Sequence, residues 1–223
     1  MANRADTAPP EPARDCDICQ RLVDFRRENA KAYPTYFNGA APSFGPKTAR
    51  LIIVGLAPGL HGANRTGRPF TGDYAGDLLY ATLGKFGFSS GEYASSPDDG
   101  LILVDAMITN AVRCVPPQNK PVGAEIRNCR PFLTSRITAL PKLKAIVCLG
   151  RIAHDSTLAA LGIKAKDAPF AHGAEHDIAG GPRLFDSYHC SRYNTNTRRL
   201  TEDMFEQVFA SVRRYLDRGD FEN

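Results

Sequence analysis

Four short apolar runs, Arg50–Leu56 (RLIIVGL), Ile102–Ile108 (ILVDAMI), Ala145–Leu149 (AIVCL) and a weaker Arg183–Tyr188 (RLFDSY), are separated by helix-like stretches. A run that is apolar throughout, instead of at alternate positions, marks a strand covered on both faces, and alternation with helices makes such strands parallel. The helix-like stretches include Tyr74–Phe86 and Ile152–Leu161. Thr201 can cap a final helix with Phe205, Val208, Phe209, Val212 and Leu216 on one face. A periodic stretch from Ala124 to Leu140 contains Pro131, which predicts two helices, the second starting at or near that proline. The expected class is α/β around a parallel sheet. In 223 residues this makes one domain. Residues 1–14, rich in Pro, Ala and charge without an apolar period, read as a flexible tail, leaving 15–223 as the domain.

No apolar run reaches the ~18–20 residues of a membrane span, and the N-terminus lacks the apolar core of a signal peptide, so a cytoplasmic setting without membrane contact is expected. A net charge of +4 permits nucleic-acid binding without requiring it. In a reducing compartment the six cysteines are better read as metal ligands or catalytic groups than as disulfides. Cys16 and Cys19 form a C-D-I-C pair, while Cys114 and Cys129 have fourteen residues between them. Two thiols on one turn and two from distant segments can complete a four-cysteine metal site, although the second spacing is too wide for an ordinary zinc ribbon. Cys148, inside a predicted strand, is most simply a buried small hydrophobe, and Cys190 beside His189 points away from it.

Ligands of open α/β sheets sit beyond the carboxyl ends of the strands, which selects the loops 57–76, 110–120 and 189–199. The first, within GLAPGLHGANRTGRPFTGDYAG, brings backbone close to a ligand and offers N–H groups to an anion, yet is no Walker loop. Within it Phe70 is either a base-stacking aromatic or a core residue, and Asp73 opens the following helix as a cap. The third, SYHCSRYNTNTRRLT, puts His189 at a strand end with Arg192, Arg198 and Arg199 close behind, which resembles a phosphate-contacting surface around a catalytic group.

Taken together, CDIC, the glycine-rich loop, NAVRCVPPQNKP, the spaced Cys129, LGR at 149–151 and SYHCSRYNTNTRRLT resemble the iron–sulfur uracil-DNA glycosylases, in particular the family 5 (UDGb) branch, over most of the chain. The resemblance implies a three-layer α/β/α fold with a central four-stranded parallel sheet. It also implies a 4Fe–4S cluster on Cys16, Cys19, Cys114 and Cys129, mainly structural in role. The implied reaction flips uracil from DNA and hydrolyses its N-glycosidic bond, initiating base excision repair. Around the base it implies Gly55, Ala57, Phe70, Asn110 and His189: Phe70 stacking, Asn110 reading the base edge, and His189 hydrogen-bonding the anion that develops at O2. Family 4 relatives carry a Glu where this chain has Leu56, which leaves Asp73 as the expected water-orienting or cation-stabilising carboxylate, with Asn119 auxiliary.

For DNA contacts the resemblance implies Arg65, Arg68, Ser191, Arg192, Tyr193, Asn194, Arg198 and Arg199, with Arg192 and Tyr193 entering the duplex beside the flipped nucleotide. The usual family 5 run reads His-x-Ser-Arg-Gln-Asn-Thr-x-Thr-Gly-Arg, whereas this chain has Tyr193 for the Gln and Arg198 for the Gly, which bears on whether hypoxanthine or ethenocytosine are also removed. The expected partners are uracil-containing DNA, single or double stranded, and the abasic-site product, engaged by a monomer. A recognition protein for uracil or abasic DNA with little turnover is the competing reading, and a zinc-stabilised nucleic-acid module a third. No inserted loop precedes His189 of the kind that attaches one superfamily member covalently to an abasic sugar, which favours turnover.

Overall fold

In the computed structural model, which describes residues 9–218, each of the four apolar runs contributes a strand to one sheet. The chain runs through α1 (Gln20–Ala32), β1 (Leu51–Gly55), a short α2 (Ala63–Thr66), α3 (Tyr74–Lys85) and the two-residue strands β2 (Ser89–Ser90) and β3 (Ile102–Leu103). Then follow β4 (Ala106–Asn110), α4 (Gly123–Thr138), β5 (Ala145–Leu149), α5 (Arg151–Ala160), β6 (Glu175–His176), β7 (Arg183–Ser187), α6 (Arg192–Asn196) and α7 (Glu202–Arg218). The strand order is β4-β1-β5-β7-β6. Its first four members are parallel, as expected; β6 adds a short antiparallel edge that the sequence reading lacked.

Residue parity divides the core into two layers. Leu51, Ile53, Ile108, Val147 and Phe185 face α3 and α7, meeting Leu79, Leu83, Phe205, Phe209 and Val212. Ile52, Val54, Met107, Ile146 and Leu184 face α4 and α5, meeting Leu133, Ile137, Ala153 and Leu158. Covering both faces is what a parallel sheet requires, and it produces the three-layer α/β/α arrangement. The predicted apolar face of α7 is the buried one, and Thr201 accepts a hydrogen bond from the Met204 amide at 3.2 Å, as a cap.

Two element boundaries differ from expectation. The run Ile102–Ile108 is not one strand: Asp105 takes φ +56° and its carboxylate accepts hydrogen bonds from the Arg50 amide at 3.0 Å and Arg50 Nε at 2.7 Å, so the chain turns before β4 begins. Pro131 does not divide the following stretch, and α4 is one helix of sixteen residues with the proline inside. A proline there costs ~3 kcal/mol. Burial of Phe132, Leu133 and Ile137, and the anchoring of Arg136 to Glu11, offset it.

The expected tail also ends earlier. Residues 1–8 lie outside the described residues, but Glu11 pairs with Arg113 at 2.9 Å and with Arg136, and accepts the Ser43 amide at 3.0 Å. Arg14 donates to the Phe37 carbonyl and covers its ring. Arg113 is almost wholly buried, and its guanidinium has Glu11 as its carboxylate partner. Burial alone would raise the Glu11 pKa, yet the Arg113 charge, the Ser43 hydrogen bonds and Arg136 hold it below its ordinary value. A depressed folded-state pKa gives stability that is present above the unfolded value and lost as pH falls through the folded one. Glu11→Gln should lower the unfolding free energy by roughly 1–3 kcal/mol at neutral pH, and denaturant titrations should show the gap to wild type closing below about pH 4.

Candidate active site and cysteine pocket

Parallel pairing brings the last residues of β1 and β4, Gly55 and Asn110, side by side at the carboxyl edge of the sheet. Gly55 has no room for a side chain: a Cβ would lie 2.4 Å from Asn110 Oδ1 and 2.6 Å from Cε2 and Cζ of Phe70. Its absence lets the Asn110 amide and the Phe70 ring converge. Asn110 is 2% exposed, and its Oδ1 has no hydrogen-bond partner. A buried acceptor without a partner costs ~1–3 kcal/mol, a cost a bound donor would relieve. Phe70, at φ +53°, is buried, belongs to the core layer and stacks near-parallel on the His189 ring, centroids 5.8 Å apart and 25° between planes. Core and site are thus the same position for this side chain. Tyr80 and Tyr93 hold its turn by donating to the Pro69 and Phe70 carbonyls at 2.8 and 3.2 Å. Neither tyrosine carries a sequence signal for that task, because each lies ten or more residues downstream of the turn it holds.

Across from this cluster opens a cleft of about 450 Å³ reached by Leu56, Ala57, Asp73, Asn119, Gly150, His189 and Arg192. Asp73 Oδ1 caps α3 by accepting the Gly76 amide at 3.2 Å. Oδ2 turns toward the loop, where a Cβ on Gly62 would lie only 2.2 Å from it. One carboxylate therefore caps and lines the cleft at once. Burial raises the Asp73 pKa against the opposing Gly76 hydrogen bond. His189 follows β7 by two residues, and burial pushes its pKa down to about 4, so the imidazole is neutral near pH 7. Asn194 Nδ2 donates to the His189 carbonyl at 2.8 Å, with its own amide capped by Ser191 Oγ. Asn119 is exposed at φ +56° on the cleft rim. Arg151 and Tyr74, which the sequence reading did not single out as site residues, also line the cleft.

On the same rim Tyr193 is 72% exposed and Arg192 lies over the Tyr74 ring at 5.2 Å. Arg199 is exposed and covers Tyr188 at 4.5 Å. Arg198 is exposed at φ +56°, the left-handed region that favours glycine, at the position where the family 5 run carries Gly. Arg65 is exposed and donates to the His61 carbonyl. Arg68 is a correction to the expected DNA set. It is 6% exposed, holds Asp99 by two bonds of 2.8 and 2.7 Å, donates to Thr71 Oγ1 at 2.7 Å, and is ringed by Phe44, Tyr80 and Tyr93. A guanidinium so enclosed does not reach a phosphate; it ties the 94–101 loop to the Phe70 turn.

Cys16, Cys19, Cys114 and Cys129 line a second pocket, with Leu22, Ala40 and Phe132. Three donors aim at its sulfurs: Arg26 Nη1 at Cys114 (3.6 Å), the Arg113 amide at Cys129 (3.3 Å) and Asn128 Nδ2 at Cys19 (3.5 Å). Burial pushes the free Cys114 and Cys129 thiols up to about 11 and about 12. Four soft donors around one apolar pocket, with N–H groups and guanidinium charge directed at the sulfurs, fit an anionic iron–sulfur cluster. Among the described residues, the group whose donor atoms all lie within 4.8 Å of one another is His154, His176 and Asp186, and the four sulfurs are not gathered that tightly. Ala57 of the cleft packs against this pocket, and Arg21 and Glu125, paired at 2.8 Å, join α1 to α4 beside it. Cys148 is buried in one core layer, as expected, and Cys190 in the other.

The chain matches the uracil DNA glycosylase superfamily model over residues 42–213. It is 44% identical over 204 residues to a type-5 uracil-DNA glycosylase of Thermus thermophilus, covering 89% of this chain and 93% of that protein. Its identity to the type-5 enzyme of Mycobacterium leprae is 40% over 207 residues, 89% and 90% of the two chains, and to that of Pyrobaculum aerophilum 40% over 198 residues, 87% and 86%. A three-layer parallel sheet with this cleft at its carboxyl edge is the frame of a base-excision glycosylase. The chain belongs to the uracil-DNA glycosylase superfamily, in its type-5 branch.

Arg68→Leu leaves Asp99 buried without its partner, so unfolding in denaturant should show a loss of about 3–5 kcal/mol. A surface phosphate ligand at this position would leave stability unchanged.

Proposed function

We propose that this protein removes uracil from DNA by hydrolysing the N-glycosidic bond, leaving an abasic site and initiating base excision repair. The observation that carries the reading is the unpartnered Asn110 Oδ1 beside the Phe70–His189 stack, whose histidine lines a cleft together with Asp73. An amide offers one acceptor and two donors on one edge, which matches the N3–H and O4 of uracil. Phe70 forms the floor on which the extruded base rests, with Gly55 and Ala57 as backbone wall. Bond cleavage leaves oxocarbenium-like charge on the sugar and negative charge on the base. A neutral His189 donates an N–H to the anion at O2 without delivering an extra proton, an oxyanion-type contribution of about 3–4 kcal/mol. Asp73 orients water toward the sugar and offsets its positive charge, with Asn119 assisting from the rim. Arg192 and Tyr193 enter the duplex; Arg65, Ser191, Asn194, Arg198 and Arg199 follow the phosphates.

Cys16, Cys19, Cys114 and Cys129 hold a 4Fe–4S cluster, whose contribution when bound is to tie the N-terminal segment, the 110–120 loop and α4 into one unit. The chain acts as one domain, residues 9–14 included, and as a monomer in the cytoplasm, where reducing conditions keep the thiols free for metal.

The test is a gel assay with a labelled duplex carrying one uracil, alkaline cleavage of the product, and hypoxanthine and ethenocytosine duplexes alongside. Strand cleavage over many turnovers is expected. A retained or shifted band without cleavage would support the recognition-protein reading instead. Asp73→Asn and His189→Ala should each slow excision by 10²-fold or more in single-turnover assays. Activity needs Asp73 ionised and His189 neutral, so the rate should fall on the acid side, with the raised Asp73 pKa and that of His189 at about 4 both contributing. Cys129→Ser should lose the brown colour of an iron–sulfur protein and most of the soluble, folded yield, measured by iron content and thermal melting. A colourless wild type rich in zinc would defeat the cluster assignment.

A further inference from the structure

His154 sits in the first turns of α5, fully buried, and both of its ring nitrogens face acceptors. Nδ1 lies 2.7 Å from Asp186 Oδ1, and Nε2 lies 2.9 Å from the Ala168 carbonyl oxygen. A carbonyl can only accept, so Nε2 carries a proton. The remaining contact with Asp186 then also requires one, and of the two groups imidazole is the stronger base, at about 6.5 against about 3.9. The other Asp186 oxygen lies 3.3 Å from His176 Nε2. The result is a buried imidazolium–carboxylate pair. A ring with both nitrogens protonated has no lone pair for a metal, so the proximity of His154, His176 and Asp186 is not a metal site.

The pair joins two elements that both contribute to the base cleft. Asp186 is on β7, three residues before His189. The Ser187 carbonyl accepts the Gly150 amide at 2.8 Å, the His154 amide donates back to the Gly150 carbonyl at 3.1 Å, and Gly150 Cα faces His189 so closely that an added Cβ would lie 3.4 Å from His189 Cβ. Arg151 and Ile152, which begin α5, line the cleft. We propose that His154 is a positioning residue for base excision: as an imidazolium held between Asp186 and the Ala168 carbonyl, it clamps the start of α5 to the strand that leads into His189 and so fixes where His189 stands against the base. This rests on the His189 role proposed above. The direction of the His154 pKa agrees: burial lowers it, but the Asp186 hydrogen bond and charge, the Ala168 carbonyl and the Asp155 charge together raise it above its ordinary value.

The first experiment reads protonation without substrate. In ¹⁵N-histidine-labelled full-length protein, purified with its metal centre, both His154 nitrogens should still carry protons at a pH above the ordinary histidine pKa. The second is kinetic. An amide at 154 cannot donate from two opposite ring positions, so folded His154→Gln should excise uracil tenfold or more slowly under single-turnover, enzyme-saturating conditions while its Kd for uracil DNA stays within about twofold. Asp186→Asn should do the same, and the double variant should be no slower than the slower single. A neutral His154 in the wild type, or a folded His154→Gln at the wild-type rate, overturns the proposal even where the wild type excises normally. Absence of wild-type excision overturns the reading of the site, and this inference with it.

Discussion

The parallel pairing of β1 with β4 is the constraint from which the site follows. In-register contact of Gly55 with Asn110 places two loops at one edge of the sheet, and the missing side chain at Gly55 is what allows an amide and an aromatic ring to share the space above it. The pairing continues past the strands, since the Ala111 and Val112 amides donate to the Gly55 and Leu56 carbonyls at 2.9 and 3.0 Å. The loops around the cleft are therefore braced by ladder-like hydrogen bonds, and their polar groups are held in place before any ligand arrives, which is the condition for electrostatic preorganisation.

The same enclosure acts oppositely on Asp73 and His189. Desolvation disfavours charge, so it keeps the histidine neutral and makes the aspartate easier to protonate. A neutral donor and a carboxylate are a complementary pair for a bond that breaks into an anion and a cation. Each charge meets the group suited to it without any proton needing to cross the cleft.

The strands were legible because burial on both faces demands uninterrupted apolar residues, as in LIIVG and AIVCL, and α7 because its five apolar positions share one face. His189 and Asp73 were legible from their place at a strand end and a helix start. What the sequence hid depends on partners far along the chain. Asp105 breaks an apolar run because Arg50 is there to hold it, and Pro131 stays inside a helix because Glu11 and the sheet hold the helix around it. Arg68 reads as a phosphate ligand until Asp99, thirty-one residues on, is seen to occupy it. Phe70 could be core or site on local grounds, and only the fold makes the two the same. His154 has no local signal at all, since its meaning lies in two acceptors on other segments.

Asn110 and Cys114 are four residues apart on one buried segment, with Val112 between them packed into the cysteine pocket and Ala57 of the cleft against that pocket's other side. A segment this short and this enclosed moves as a unit, so a shift at Cys114 reaches the Asn110 amide within a few bonds. Disruption of the cysteine pocket thus acts first on the buried, unpartnered Asn110 amide, the group proposed above to read the base. On the function proposed above, a copy whose pocket has come apart loses sight of its target instead of becoming an indiscriminate cutter of intact bases.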